Sequence, residues 1–364
     1  MNVLDLGARF DENGKLTLGV EWVPVGKDTT NKGTFEGNNH YIKGVYVNSD
    51  TKFCGIFGNT NTIQNLTVKN SYIEGSACTG GIAGAVRGGK VENCHNINTI
   101  VTMKSGTESV GGIVGQSSVN IENCTNEGIV YITGRNAQNR SQAGGIVGIS
   151  IGSTISNCTN KGNIISGKEA GLYVGGICGS TGADYAVTIS NCKNEGTING
   201  VTSTAGIVGL LSTKGVVEQC SNTGNINVTE SYGAGIAGQM NQKNGQSNSI
   251  VRLCYNSGNI SGGPVSGGPV LGGIVAFFCG QSQQGTVENC YSKGTITAPE
   301  NNGGAIIGKK NQADGNATFN NLYYLSTIGL YAVNNNQSYE SDTVKAVDDD
   351  IKTYEEFLEW IKTK

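Results

Sequence analysis

Ala143-Gly-Gly-Ile-Val-Gly148, a short spacer, Thr154-Ile-Ser-Asn-Cys158 and then Thr159-Asn-Lys-Gly-Asn-Ile164 form one unit, and variants of it recur along most of the chain. The cysteine falls at Cys94, Cys124, Cys158, Cys192, Cys220, Cys254 and Cys290, a mean period of about 33 residues. A fixed period of roughly 20 to 50 residues marks a repeat architecture, in which each unit buries its apolar face only against its neighbours. The unit therefore decides the fold.

Its first element centres on Ile56, Ile82, Ile113, Ile146, Ile177, Ile207, Ile236 and Ile274, each preceded by glycine, and less cleanly on Ile306. These runs are too short and too glycine-rich for an amphipathic helix, and read as buried strands whose neighbours approach closely. In the second element the aliphatic residue and the cysteine are three apart (Ile155 and Cys158). A regular strand would send them to opposite faces, so burying both requires a bend at the intervening asparagine. Asn93, Asn123, Asn157, Asn191 and Asn289 are read as that corner, since asparagine tolerates the left-handed region and stacked amides bond along a ladder. A turn such as Asn160-Lys-Gly162 follows, where Asn and Gly are expected to supply positive φ, and then a third strand near Ile100, Val130, Ile164, Ile198, Ile226, Ile260 and Ile296. Three strands per coil, stacked in parallel, predict an all-β chain: a right-handed parallel β-helix, or solenoid, of about nine coils.

The unit resembles the GLUG-motif repeat of bacterial surface proteins, which also occurs beside the catalytic domain of IgA-cleaving metallopeptidases. The Gly-Gly-Ile-Val-Gly core, the Ile-x-Asn-Cys corner and the Asn-x-Gly-x-Ile exit carry the resemblance, which covers about Gly33 to Tyr324. It implies a β-solenoid on an exported bacterial protein, secreted or held at the cell surface, and implies little about a ligand.

The flanks of the array differ. Residues 1–34 are expected to form an N-terminal cap, with strands over Val3–Leu6 and Lys15–Val25 joined by a turn at Glu12-Asn13-Gly14. Residues 35–325 form the solenoid. Residues 326–364 form a C-terminal cap whose helix opens at Asp348-Asp349-Asp350 and runs through Ile351, Tyr354, Leu358 and Ile361, its apolar stripe set on the final coil.

Composition narrows the function classes. Glycine is 57 of 364 residues with only 4 prolines, so glycine punctuates turns and does not mark collagen. Net charge is −3 and the arginines (Arg9, Arg87, Arg135, Arg140, Arg252) are scattered, so no basic stripe exists for nucleic acid. No apolar run is long enough to cross a membrane, and Met1–Phe10 does not read as a secretory signal; the chain is expected to be a soluble mature piece or fragment, a monomer within a larger parent protein.

Chemistry is sparse. Seven of the 11 cysteines share one repeat position and read as a column of small buried hydrophobes, without a cofactor or a metal. A zinc peptidase needs two histidines at i and i+4, and the chain has only His40 and His95. Between Thr51 and Asn316 the only aspartates are Asp184 and Asp314, whereas glutamates recur singly at Glu92, Glu122, Glu218 and Glu288. A polysaccharide hydrolase or lyase would need a second carboxylate opposite such a column, so the expectation is a non-catalytic structural or adhesin-like module, with the carbohydrate-active enzyme as its alternative. Its partner would be a protein or glycan of a host or bacterial surface, met by variable loops at 134–142, 180–186, 239–249, 261–270 and 277–285 and by exposed aromatics: Tyr131, Tyr173, Tyr185, Tyr232, Tyr255, Tyr291, Phe277 and Phe278.

Overall fold

The computed structural model describes residues 3–26, 31–104, 109–132, 141–167, 173–182, 185–241, 248–264, 268–279, 285–299, 302–310, 317–334 and 337–364. The chain is a mostly β, parallel solenoid of about eight turns with one short helix near its C-terminus. A nine-stranded sheet runs along one side, and a 33-stranded sheet wraps the rest of the coil. Each strand pairs with its equivalents one repeat before and after: Val147 lies between Val114 and Cys178, and Ile155 between Ile121 and Ile189. At about 4.8 Å per rung, every buried column is continuous along the axis.

One coil contains five short strands rather than three: Gln142–Gly144, Val147–Ser150, Thr154–Ser156, Thr159–Asn160 and Ile164–Ser166. Two features divide the expected elements. The glycine pair turns the chain between Gln142–Gly144 and Val147–Ser150, and the corner asparagine breaks the second element. The corner column is present at Asn93, Asn123, Asn157, Asn191 and Asn289, with φ between 51° and 54°, and Asn65, Gln219, Leu253 and Asn321 complete it. Inside, Ile146, Ile155, Cys158 and Ile164 are all fully buried. Burying a side chain of this size contributes about 1.5–3 kcal/mol, repeated at each rung.

The glycines of the unit answer to contact more than to turn geometry. Gly162 does not have positive φ, and neither does Asn160, which corrects the expectation for the Asn-x-Gly segment. A Cβ on Gly162 would lie 1.8 Å from the Gly128 oxygen of the preceding rung. A Cβ on Gly145 would lie 2.2 Å from the Gly176 oxygen and 2.4 Å from Cγ of Asn160. The Gly-Gly core and the Asn-x-Gly exit, some fifteen residues apart, thus meet across the coil.

Both termini fold onto the flanks. Val3–Asp5 adds to the solenoid against Tyr41–Lys43 instead of pairing within the cap. The expected strand Lys15–Val25 shrinks to Leu16–Leu18, because Gly19 at φ 97° ends it; Leu16–Leu18 pairs with Arg9–Phe10. This hairpin covers Tyr46 and Tyr72, which stack at 5.5 Å, while Phe10 tilts against Tyr72. At the other end Val344–Val347 pairs with Leu322–Leu325, and Ile307 bridges to Val333.

The terminal helix α1 (Tyr354–Ile361) starts later than its acidic run suggests. Thr353 Oγ1 accepts the Glu356 N–H at 3.1 Å as its cap, and Glu356 Oε2 accepts the Lys352 N–H at 2.8 Å. Nor does α1 close the open end of the last coil: it lies along the flank of three successive rungs, setting Phe357 against Tyr255 and Tyr291 and Trp360 against Tyr291 and Tyr323.

Candidate functional site

The cysteine column is part of the core. Cys94, Cys124, Cys158, Cys192, Cys220, Cys254 and Cys290 are all at most 2 % exposed, with Leu66 and Leu322 in the same column at its ends. Each thiol donates to the carbonyl two residues back, Cys158 Sγ to Ser156 O at 3.2 Å for instance, and Cys158 neighbours the thiols of Cys124 and Cys192 on the adjoining rungs. Burial pushes the thiols of Cys124, Cys158, Cys192 and Cys254 well above the usual range, so they stay neutral and unreactive at ordinary pH. Among the described residues no group of three or more His, Cys, Asp or Glu is placed to hold a metal ion.

Two residues beyond the cysteine runs a second buried column that sequence reasoning assigned to a turn. Asn96, Asn126, Asn160, Asn194, Asn222 and Asn256 are fully buried, and each Nδ2 donates to the Oδ1 of the next rung at 2.7–2.9 Å, from Asn96 to Asn256. The same Nδ2 donates to a carbonyl two residues on, as Asn160 does to Gly162 O at 2.8 Å. The ladder is finite: Val68 occupies the rung before Asn96, whose Oδ1 has no donor, and Ser292 ends it after Asn256. Its signal was legible as an asparagine two places after almost every cysteine.

The recurring glutamates face outward and are satisfied locally. Glu92 pairs with Lys90 on its own strand and lies beside Glu122 of the next rung; Glu218 is held by Arg252 at 2.6 Å. On the neighbouring rung Arg252 lies beside Glu288. No second carboxylate column stands opposite them among the described residues of these strands.

The aromatics divide into two groups. Tyr131 and Tyr185 are exposed at 37 % and 54 %, while Tyr232 and Phe277 stack at 4.8 Å in a half-buried pair on the flank. The other four are not on an accessible surface, which corrects the expectation that they would be exposed. Tyr173 is buried within the nine-stranded sheet, and Phe278 is in the core, edge-on to Phe319 at 5.7 Å. Tyr255 and Tyr291 stack at 5.8 Å beneath α1, and their hydroxyls donate to Ile351 O at 2.9 Å and Asp349 O at 2.8 Å. Tyr291 and Tyr323 meet the edge of Trp360, whose Nε1 donates to Asp349 Oδ2. These tyrosines are the landing surface of the helix. Of the variable loops, 134–140, 183–184, 242–247, 265–267 and 280–284 lie outside the described residues, as does Asp184 and Asp314.

Comparison with known proteins agrees with this architecture. Residues 139–165 match the family model of the GLUG motif. The chain is similar to halomucin of Haloquadratum walsbyi, 30 % identical over 102 residues, a stretch that is 27 % of this chain and 1 % of that protein. The chain thus spans a very small part of the relative it matches. No solved structure matches it. The molecule is a β-solenoid repeat module carrying the GLUG motif.

Proposed function

We propose that the chain is a non-catalytic module of a secreted or cell-surface protein, a rigid rod that presents its flanks and loops to a protein or glycan. The observation that carries this reading is the division of labour along each strand. Inward positions repeat from rung to rung and are consumed by packing and by the asparagine ladder, while the outward column beside that ladder runs Thr125, Thr159, Lys193, Ser221, Tyr255. An enzyme of this architecture concentrates reactive side chains on one face of adjacent coils; here the outward carboxylates stand singly or are paired with Lys90 and Arg252.

The test is incubation of the intact chain with a panel of plant, bacterial and animal polysaccharides, following reducing ends. No turnover is expected. Release of reducing ends that disappears in Glu92→Gln or Glu122→Gln would overturn the proposal in favour of a carbohydrate-active enzyme.

A further inference from the structure

A solenoid flank is convex or flat, and a concave site arises where another element rises from it. That happens where α1 begins. Along the outward column Thr125, Thr159, Lys193, Ser221, Tyr255, the tyrosine supports the helix, Ser221 is buried beside it, and Thr159 and Lys193 farther along are left at least partly exposed. The step between them is a groove of about 430 Å³, within the range of small-ligand sites. Its floor is made by Thr159, Asn191, Lys193, Gln219 and Thr223, and Tyr354 of α1 forms the wall.

The floor carries unspent hydrogen-bonding capacity. Most of the other corner amides are engaged: Asn93 Nδ2 donates to Asn65 Oδ1 at 2.9 Å, Asn157 Nδ2 to Glu122 Oε1 at 3.4 Å and Asn321 Nδ2 to Asn289 Oδ1 at 2.9 Å. The carboxamides of Asn191 and Gln219 and the hydroxyl of Thr159 make no hydrogen bond among the described residues, although all three line the groove. Tyr354 is half-buried, and its hydroxyl is fixed by donation to Leu253 O at 3.3 Å. A rigid ring beside several neutral donors and acceptors suits a polyhydroxylated ring with one apolar face.

We propose that this groove binds a short saccharide segment. The inference rests on the reading of the chain as a display module and names the place and the chemistry of one contact. A peptide is disfavoured because the two-residue strands of the floor, Thr159–Asn160, Lys193–Asn194 and Ser221–Asn222, are each paired on both sides and offer no free edge for strand addition. A polyanion is disfavoured because Lys193 is tied to Glu195 at 2.9 Å and the rim carries Glu355 as well as Lys352, which leaves no basic cluster.

The experiment titrates the intact chain calorimetrically with three neutral oligosaccharides: xylohexaose, chitohexaose and mannohexaose. At least one is expected to bind, and the double variant Asn191→Gly/Gln219→Gly to weaken it about tenfold or more. Glycine keeps the left-handed corner at φ 52° and 53°, and neither side chain bonds another described residue, so the variant should unfold close to the parent's urea concentration; Leu18→Ala, on the N-terminal hairpin, should bind as the parent does. The groove assignment is overturned if none of the three binds, or if affinity in the double variant stays within about threefold of the parent. Either result leaves the display-module reading standing, because that reading falls only on turnover.

Discussion

Thr159 and Asn160 are neighbours on a two-residue strand, yet the columns they belong to follow opposite rules. The inward column reads Asn96, Asn126, Asn160, Asn194, Asn222, Asn256; the outward one reads His95, Thr125, Thr159, Lys193, Ser221, Tyr255. Inside, each amide needs its neighbours to be amides, because a buried donor without an acceptor costs about 1–3 kcal/mol. Outside, water satisfies any polar group, so identity follows whatever covers the position. Where α1 covers it the residues become Tyr255, Tyr291 and Tyr323; where the N-terminal hairpin covers a different flank they are Tyr46 and Tyr72. The repeated column reports architecture, and the varied column reports contacts.

The strongest way to break this comparison is to exchange one residue of each column. Asn160→Leu removes the donors to Gly162 O and Asn194 Oδ1 and the acceptor of Asn126 Nδ2. It also thickens the side chain that already touches Gly145 across the coil. A loss of about 3 kcal/mol or more is expected from these unmade bonds. Thr159→Ala should stay within about 0.5 kcal/mol. Urea unfolding of both variants measures the difference, and similar losses would mean that the inner ladder holds the coil no more than the surface does.

The cysteine column gives a second contrast, read through pH. Burial raises the folded-state thiols of Cys124, Cys158, Cys192 and Cys254 well above the ordinary thiol range. Above about pH 9 the unfolded chain therefore loses thiol protons that the folded chain keeps, and it binds fewer protons than the native state. Stability is complete below that pH and falls as pH rises beyond it, by up to about 1.36 kcal/mol per pH unit for each such thiol. Replacing Cys158 with Val should shallow the alkaline slope by about one proton while leaving the neutral-pH midpoint within about 1.5 kcal/mol. An unchanged slope would place the column in contact with water.

How much of this was legible follows from the same contrast. Period, strand character, the corner asparagines and the burial of the cysteines were readable because a column leaves the same residue at the same place in every copy. The inner ladder was visible as recurrence but was assigned to a turn: Asn160-Lys-Gly162 looks like a local turn signal, and only the three-dimensional stack shows that the amide bonds along the axis and that the glycine yields to the rung beneath. The landing of α1 was not readable, since a single helix of eight residues has no second copy to compare and its apolar stripe fits an open end as well as a flank. Tyr255 and Tyr291 therefore read as exposed rings, whereas they form the floor under Phe357 and Trp360.

The smallest expected effect tests the corner itself. Every corner residue has φ near 50°, yet two of the nine are not asparagine: Gln219 and Leu253, both at φ 53°. In this region an ordinary L-residue is strained by roughly 1–2 kcal/mol, and asparagine is among the few that relieve the strain. Gln219→Asn should therefore stabilise the chain by about 0.5–1 kcal/mol, since the Gln219 side chain makes no bond that would be lost. Leu253→Asn should not, because Leu253 packs against the tyrosines under α1 and its lost apolar contact offsets the relieved strain. Matched urea titrations decide between them. Equal stabilisation would mean that the flank packing of Leu253 is dispensable, and none in either would mean that the corner geometry costs little; a gain confined to Gln219 is what a strained corner beside a covered flank requires.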